Sequence, residues 1–359
     1  MKIVDIKTQI IKAPLKKPFK TALRRVDSLE DLVVTIHTES GLVGYGEGGA
    51  TAVITGDIIS GMIGAIEYIK PMLIGKTIED FNSILYIVAN SIVHNSTVKS
   101  MLEVALYDLK AQSLKLPLYR FLGGSRTSFT TDITISLNSI DKMLKESQEA
   151  IDLGYDILKI KVGKSILEDF EIIKSIAQTF PDTTLRVDAN QAWNPKESIY
   201  LLKKLEKLDI YPELIEQPVK ANDFRGMRYI RERTVIPILA DESIFSPKQA
   251  IEILELEACD YINIKLAKCG GVSNGLKIAD IAGLYGVKCM IGCMLEGAVS
   301  ISAGVHLASA RERTITMLDL DGVNLLAYNP IIGGAEFNNS KIELNSSYGL
   351  GISEIKDDN

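Results

Sequence analysis

Three acidic residues stand at regular intervals, each at the end of a short apolar run that reads as a β-strand. They occur in the segments L-R-V-D-A-N, L-I-E-Q-P and I-L-A-D-E-S as Asp188, Glu216 and Asp241. The steps between them are 28 and 25 residues, the length of one strand plus one helix. Parallel strands with that repeat end at one edge of a sheet, so the three carboxylates should meet there. Oxygen ligands without His or Cys favour Mg²⁺ over Zn²⁺, and we expect one Mg²⁺ per subunit.

Lysines on two further strands flank these acids. Lys159 and Lys161 lie two residues apart in L-K-I-K-V, so both side chains point to the same side of the strand. Lys265 follows Asp241 by 24 residues, on a later strand. Neighbouring ammonium groups and a nearby metal ion lower each other's pKa, which makes a neutral, basic amine accessible. Lys268 lies off the inward face of its segment and is expected to face solvent or the following loop.

This combination of groups suits proton transfer next to a carboxylate. A carboxylate bound to Mg²⁺ has an acidified α-proton, because the metal stabilises the enediolate in which negative charge develops. With Lys161 on one face of the α-carbon and Lys265 on the other, one amine removes the proton and the other returns one. The carbon is then inverted, which is the chemistry of a racemase or epimerase.

The elements that position these residues alternate strictly between strand and helix from about residue 130. We predict strands at 132–137, 157–162, 184–189, 213–217, 236–241, 260–266, 288–292 and 314–319. We predict helices at 139–153, 166–179, 196–208, 222–233, 247–257, 272–286 and 296–310. Alternation of this kind with right-handed crossovers indicates an α/β barrel, in which chemistry lies at the carboxyl ends of the strands.

The N-terminal part of the chain has a different rhythm. Its first 50 residues alternate like antiparallel strands, interrupted by a basic, proline-containing loop at 14–26, and 57–122 is helical. Strands followed by helices indicate an α+β lobe. The expected domains are a capping domain at 1–125, to which 321–359 returns, and a barrel at 126–320.

Composition excludes several classes of function. The chain has 359 residues, a net charge of −6 and a pI near 5.4, which argues against a nucleic-acid partner. It shows neither a signal-peptide pattern nor an apolar run of the ~20 residues that cross a bilayer, so we expect no membrane partner and a cytoplasmic location. The four cysteines, Cys259, Cys269, Cys289 and Cys293, form no Cys-x-x-Cys pair and are expected to be buried thiols.

The motifs together resemble a known family. K-I-K, V-D-A-N, I-E-Q-P, A-D-E-S and N-I-K-L-A-K-C-G-G are similar to those of the enolase superfamily, in its muconate-lactonizing subgroup. The resemblance implies a modified (β/α)7β, TIM-like barrel with an α+β capping domain, bound Mg²⁺ and frequent homo-oligomers. It also implies that Lys161 and Lys265 are the acid/base pair. Both lysines occur as well in members that catalyse β-elimination or cycloisomerisation, so they do not by themselves prove epimerisation.

Two further segments narrow the range of possible substrates. M-L-D-L-D-G places Asp319 and Asp321 on one face, and paired carboxylates suit a free ammonium group. The pair resembles the signature of dipeptide epimerases, where it holds the N-terminal ammonium. The loop P-F-K-T-A-L-R-R resembles the lid of the enzymes that act on L-Ala-Glu dipeptides, in which Arg24 would bind the glutamyl carboxylate. Arg25 remains an alternative, because the sequence of a loop does not show which of its side chains point toward the barrel.

Further contacts are implied by the same resemblance. Thr134 corresponds to a position that contacts substrate, and Lys159 would bind the substrate carboxylate. Asn190 and Glu242 correspond to partners of the metal ligands and bases. Glu296, in C-M-L-E-G, would line the side-chain pocket and bind a cationic group, or else begin a helix.

We therefore expect an isomerase, a Mg²⁺-dependent dipeptide epimerase that interconverts L-Ala-L-Glu and L-Ala-D-Glu in cell-wall peptide metabolism. The alternatives within the superfamily are an N-acyl amino acid racemase, an o-succinylbenzoate synthase and a muconate cycloisomerase. Their substrates lack a free amine, which Asp319 and Asp321 argue against. A non-catalytic, metal-stabilised binding protein is the remaining alternative.

Overall fold

A computed structural model describes residues 1–356. The capping strands are β1 (Ile3–Lys20), β2 (Arg25–Thr38) and β3 (Val43–Gly49), which form an antiparallel sheet in that order. The helices that follow are α1 (Ile59–Leu73), a 3₁₀ turn (Ile78–Asp80), α2 (Phe81–Asn90), α3 (Ser96–Ser113) and α4 (Leu118–Phe121).

Helix α3 joins the two lobes and is buried on nearly all sides. One face lies directly on β3, because glycines alternate along that face of the strand. A Cβ at Gly44 would lie 2.2 Å from the carbonyl oxygen of Ala105, and one at Gly46 would lie 1.9 Å from that of Met101. The other face packs against the barrel helices. The segment G-Y-G-E-G-G thus allows a backbone approach that no side chain would permit.

The second lobe is an eight-stranded parallel sheet within the described residues. Its strands are β5 (Ile133–Ile135), β6 (Ile157–Lys161), β7 (Thr184–Asp188), β8 (Leu214–Glu216), β9 (Ile238–Ala240), β10 (Tyr261–Ile264), β11 (Lys288–Gly292) and β12 (Ile315–Asp319). Its helices are α5 (Ile140–Asp152), α6 (Ile166–Thr179), α7 (Pro195–Glu206), α8 (Phe224–Arg231), α9 (Pro247–Glu255), α10 (Leu266–Cys269), α11 (Val272–Leu284) and α12 (Ala298–Ala310).

The strands pair in chain order, and side chains link the first of them to the last. Thr134 N on β5 donates to Asp321 Oδ2 just after β12 at 2.7 Å, and Leu320 N donates to Thr131 Oγ1 at 2.8 Å. These bonds join the two ends of the sheet, so the strands surround a common interior. The predicted α/β barrel with an α+β capping lobe is confirmed.

The last elements return along both lobes. They are α13 (Gly322–Leu325), β13 (Ile331–Gly333), β14 (Glu336–Asn338), β15 (Lys341–Glu343) and β16 (Ile352–Ile355). β15 pairs with β4 (Ser128–Thr130), ahead of the barrel. Leu326 bridges to Leu15, and Gly349 bridges to Pro117, so this segment touches the capping lobe as well.

Two sequence predictions differ from the structure. The basic segment 14–26 is mostly strand, because β1 and β2 extend to a hairpin with a register shift between Pro14 and Phe19. Its prolines hid the pattern, since proline at an edge or bulge is compatible with a strand. The short helix α10 was also missed, directly after β10. The eight barrel strands and seven longer helices lie within a few residues of their predicted bounds.

The burial of the cysteines agrees with the sequence expectation in part. Cys259, Cys269 and Cys289 are buried free thiols, whereas Cys293 is half-buried. Among residues 1–356, no helix combines the length and the apolar character that crossing a membrane requires.

The glycine packing of β3 can be tested directly. Gly46→Ala should destabilise the protein by roughly 1–3 kcal/mol, because the new methyl group overlaps the carbonyl of Met101 and α3 must shift. Gly64→Ala, at an exposed helical position with nothing within 4 Å of the new Cβ, is the matched control and should be neutral or stabilising. Thermal unfolding measures both, and equal melting temperatures for the two variants would contradict the close-approach account.

Candidate active site

A cavity of about 50 Å³ lies between the two lobes, over the carboxyl ends of the barrel strands. Its roof is formed by the β1–β2 hairpin and the segment after β3, and its floor by barrel side chains. The lining includes Phe19, Arg24 and Ile54 from the capping lobe and Lys161, Lys265 and Asp321 from the barrel. A volume of this size holds a few water molecules. The roof must therefore move before a larger molecule can enter.

The three predicted acids lie together beneath this cavity. Asp188 is the last residue of β7, Glu216 is the last residue of β8, and the two are register partners. Asp241 follows β9 directly. All three side chains are at most 1% exposed. The matched strand ends place them at one height, as their spacing predicted.

Lysine ammonium groups contact each of these carboxylates. Lys159 Nζ lies 2.6 Å from Glu216 Oε2, 2.6 Å from Asp319 Oδ2 and 3.2 Å from Asp188 Oδ2. Lys161 Nζ lies 2.5 Å from Asp188 Oδ2, and Lys265 Nζ lies 2.7 Å from Asp241 Oδ2. The site is a buried network of alternating charges, in which every ammonium has an acidic partner.

Burial and neighbouring charges set the protonation of this network. Burial and the adjacent Asp188 raise the pKa of Glu216 to about 8. Burial would lower the pKa of Lys265, but the carboxylate of Asp241 outweighs it and holds that pKa above its ordinary value. The same balance, with Asp319 as the main partner, raises the pKa of Lys159. At Lys159 and Lys265 the buried carboxylates thus outweigh both burial and the neighbouring ammonium groups. The expected lowering of lysine pKa values depends on a bound metal ion as well, so it stays a prediction.

The donor set fits a hard cation in its chemistry. Asn190 Oδ1 and Glu242 Oε2 are buried oxygens without a hydrogen-bond partner, and Glu216 Oε2 is contacted by the ammonium of Lys159. Within residues 1–356, no three acidic, His or Cys side chains stand around one point as a ready-made ligand set. The ammonium of Lys159 stands between the carboxylates instead. The excess of acceptor oxygens is of the kind that Mg²⁺ satisfies.

The two acids at the end of β12, Asp319 and Asp321, have different partners. Asp319 is bound by Lys159, and its pKa is lowered to about 2, since the nearby lysines outweigh burial. Asp321 accepts from the backbone of Thr134, and burial together with Asp319 raises its pKa to about 6. Both acids and Thr134 line the cavity. A cationic group entering there would meet two carboxylates of which only one has an ammonium partner.

The hairpin distinguishes the two candidate arginines. Arg24 lines the cavity and is half-buried, and its pKa is lowered chiefly by burial. Within the described chain, no carboxylate lies within 4 Å of its guanidinium. Arg25 is exposed and is paired with Asp27 at 2.9 Å. The cationic group available to a ligand is therefore that of Arg24.

Comparisons with known proteins agree with this geometry. Residues 4–123 match the mandelate racemase / muconate lactonizing enzyme N-terminal domain, and residues 142–358 match the enolase C-terminal domain-like family. The L-Ala-D/L-Glu epimerase of Clostridium acetobutylicum is 48% identical over 99% of both chains.

Two solved structures are also similar over nearly the whole chain. The substrate-liganded L-Ala-D/L-Glu epimerase of Bacillus subtilis has a TM-score of 0.96 and 42% identity, and covers 98% of this chain and 99% of its own. The dipeptide epimerase of Enterococcus faecalis, solved with Mg and L-Leu-L-Tyr, has a TM-score of 0.95 and 39% identity. The match covers 99% of this chain and 100% of that structure.

The chain belongs to the mandelate racemase / muconate lactonizing enzyme family of the enolase superfamily. The resemblance stated from its motifs is confirmed, and the protein is an isomerase. Metal-bound structures within this family contain Mg.

This family member contains a buried lysine whose placement was predicted wrongly. Lys268 is only 1% exposed, and its Nζ contacts both the side chain and the carbonyl of Asp241. The strand ends at Ile264, and α10 turns Lys268 back toward the barrel interior. Asn263, which donates to Glu216 Oε1 at 2.9 Å, was also missed. It lies two residues before Lys265, so the period-two pattern of the strand could have identified it.

Asn190 and Glu242, expected as partners of the metal ligands and bases, lie close to Asp188 and Asp241 in the chain and contact each other. Asn190 has a positive φ of 43°, and its N–H donates to Asp188 Oδ1 at 2.9 Å. Its side chain reaches Glu242 Oε1 at 3.3 Å. Asparagine tolerates this left-handed conformation better than most residues. The turn after β7 therefore orients the Asp188 carboxylate.

Glu296 is not among the residues that line the cavity, and of its two expected roles the start of a helix is the nearer, because α12 begins two residues later. Glu296 is buried beside two capping-lobe acids, Asp31 and Glu47. Burial raises the pKa of Glu296, and its charge helps to raise the pKa values of the other two acids. Glu47 Oε2 accepts from the N–H groups of Val299 and Ser300 at 2.9 and 3.1 Å, in the first turn of α12. The positive end of a helix stabilises a carboxylate there. These acids thus dock the capping lobe onto the loop that forms one wall of the site.

The acid cluster should make stability depend on pH. Burial raises the pKa of Glu47 from 4.5 to about 7, so the folded protein retains a proton that the unfolded chain has released. The proton on Glu47 therefore favours the folded state. This contribution to the free energy of unfolding is fully present below the pKa of Glu47 in the unfolded chain, and it is lost as the pH rises through the pKa of Glu47 in the folded protein. Between about pH 5 and about pH 8, Glu47→Gln should lose less stability than the native protein, by roughly 1–3 kcal/mol. Melting temperatures across that range measure the difference, and parallel curves would rule out Glu47 as the source.

Proposed function

We propose that the protein is a Mg²⁺-dependent dipeptide epimerase that interconverts L-Ala-L-Glu and L-Ala-D-Glu. One observation carries the proposal: two lysines from opposite sides of the barrel line the same cavity as Arg24 and Asp321. The relatives and solved structures named above are epimerases of dipeptides, two of them of L-Ala-Glu.

Lys161 and Lys265 would carry out the 1,1-proton transfer. Lys161 ends β6 and Lys265 follows β10, strands that lie four apart in an order of eight. They therefore approach the cavity from opposite sides, and each is 6% exposed. One lysine takes the α-proton and the other donates one to the opposite face, so the carbon is inverted through an enediolate of the substrate. The carboxylate of Asp241 raises the pKa of Lys265 and so favours its protonated, proton-donating form.

Asp188, Glu216 and Asp241 would hold the Mg²⁺. Bound there, the ion supplies positive charge where the substrate carboxylate gains negative charge during proton loss. Lys159, 1% exposed among these acids, contributes a further positive charge to the same region.

The two ends of the dipeptide would be recognised by different lobes. Asp319 and Asp321 provide carboxylates for the N-terminal ammonium, with Thr134 beside them. Arg24 provides the guanidinium for the glutamyl carboxylate, a pairing that suits bidentate hydrogen bonds. This favours a dipeptide over the N-acylated or amine-free substrates of the related racemases and cycloisomerases, because those leave the acids without a cation.

The acid/base assignment predicts a specific pattern of isotope exchange. In deuterated buffer with Mg²⁺, the native enzyme should incorporate deuterium at the glutamyl α-carbon of L-Ala-L-Glu and of L-Ala-D-Glu and interconvert them. Lys161→Ala and Lys265→Ala should each lower epimerisation by about 10³-fold or more. Each variant should still exchange the α-proton of one epimer, and the two should differ in which one. Proton NMR and chiral chromatography provide the readouts.

Lack of exchange in the native enzyme with Mg²⁺ would overturn the proposed substrate. Near-native turnover in either variant would remove that lysine from the acid/base pair. Circular dichroism of both variants controls for misfolding, since each removes one of the two ammonium groups that contact a buried aspartate.

The arginine assignment is tested with a neighbouring control. Arg24→Ala should lower kcat/KM for L-Ala-L-Glu by about 10–100-fold, because a charge-assisted pair with the glutamyl carboxylate is lost. Arg25→Ala, which removes only an exposed pair with Asp27, should have little effect. With L-Ala-L-Leu, which lacks the carboxylate, the Arg24 variant should lose much less. An equal loss on both dipeptides would show that Arg24 acts on the hairpin and not on the substrate.

A further inference from the structure

A second cavity, of about 250 Å³, lies directly behind one wall of the first. Phe19, Thr134 and Leu325 line both cavities and separate them. The second cavity is lined by the end of β1, by β5 and by α5, and it is partly open to solvent. It offers several times the volume of the first.

The interior of this second cavity is apolar. Ile135, Ala150 and Tyr155, all nearly buried, form its inner surface. Charged residues at its border already have partners. Lys16 donates to the carbonyl of Asn324 at 2.8 Å, Lys17 pairs with Glu149, and Glu146 lies 3.7 Å from Lys142. The space therefore suits an uncharged, apolar group.

The wall between the cavities lies at the proposed ammonium anchor. Asp321 Oδ2 accepts from Thr134 N at 2.7 Å, so an ammonium on Asp321 would lie beside Thr134. In a dipeptide, the N-terminal side chain is attached to the same carbon as that ammonium. The side chain therefore begins at the wall, and the larger cavity lies directly on the other side of that wall.

We propose that the second cavity is a subsite for the N-terminal side chain of the dipeptide. The enzyme would then accept bulky apolar N-terminal residues such as leucine in addition to alanine. This inference rests on the proposed dipeptide epimerase function. Phe19 and Leu325, both half-buried, are the wall side chains that would turn to admit the larger group.

The test compares two substrates that share the ammonium and the glutamyl residue, L-Ala-L-Glu and L-Leu-L-Glu, with Mg²⁺ present. In the native enzyme, kcat/KM for L-Leu-L-Glu should lie within about tenfold of that for L-Ala-L-Glu. Ala150→Phe on α5 fills the second cavity and should lower the Leu-to-Ala ratio of kcat/KM by at least about tenfold. Ala150→Leu, a smaller change, should lower it less and serves if the Phe variant folds poorly.

Ala177→Phe is the matched control, on the neighbouring helix α6 and away from both cavities, and should leave the ratio unchanged. A native ratio below one hundredth would overturn the subsite, as would both Ala150 variants with an unaltered ratio. Failure of the native enzyme to turn over either dipeptide would instead overturn the proposed function. The two failures are therefore distinguishable.

Discussion

The balance of buried charge at the barrel opening governs the organisation of the site. Asp188, Glu216 and Asp241 are removed from water, which is tolerable only because cationic groups lie within a few ångströms of each. Lys159 lies at the centre of that balance, bound to acids from three different strands. Any cation that takes up these carboxylates must also change how strongly the lysines are held. Metal binding and lysine basicity are therefore coupled.

A second buried acidic group links the capping lobe to the barrel. Asp31 accepts from the N–H of Gly297, and Glu47 accepts from the first turn of α12. Gly297 itself is required by this contact, because a Cβ there would lie 2.2 Å from Glu47 Oε1. The loop between β11 and α12, which supplies Met294 and Leu295 to the cavity wall, is thus fixed by residues of the other lobe. The lobes cannot separate without releasing that wall.

The sequence predicted the barrel well and the lid less well. Regular strand-helix alternation located all eight strands, and strand periodicity put Lys159 and Lys161 on one side. The hairpin that carries Arg24 was predicted as a loop, because its prolines and lysines hide the alternation of a strand pair. The hairpin forms because β1 and β2 pair with each other, and the strand preferences of the individual residues do not show that pairing.

The sequence alone determined where the strand-end residues lie along the barrel axis and which side of the sheet they face. The first follows from the repeated length of the strand-plus-helix unit, and the second from the two-residue period of a strand. Asp188, Glu216, Asp241, Lys161 and Lys265 all follow both rules. The tertiary structure decided the rest. Lys268 turns inward because a helix begins after the strand, and Glu296 lies beside Asp31 and Glu47 instead of lining the cavity. Arg24 faces the cavity and Arg25 faces solvent, because the hairpin sets their directions. Such choices depend on which elements lie opposite one another in space, and no local pattern of residues contains that information.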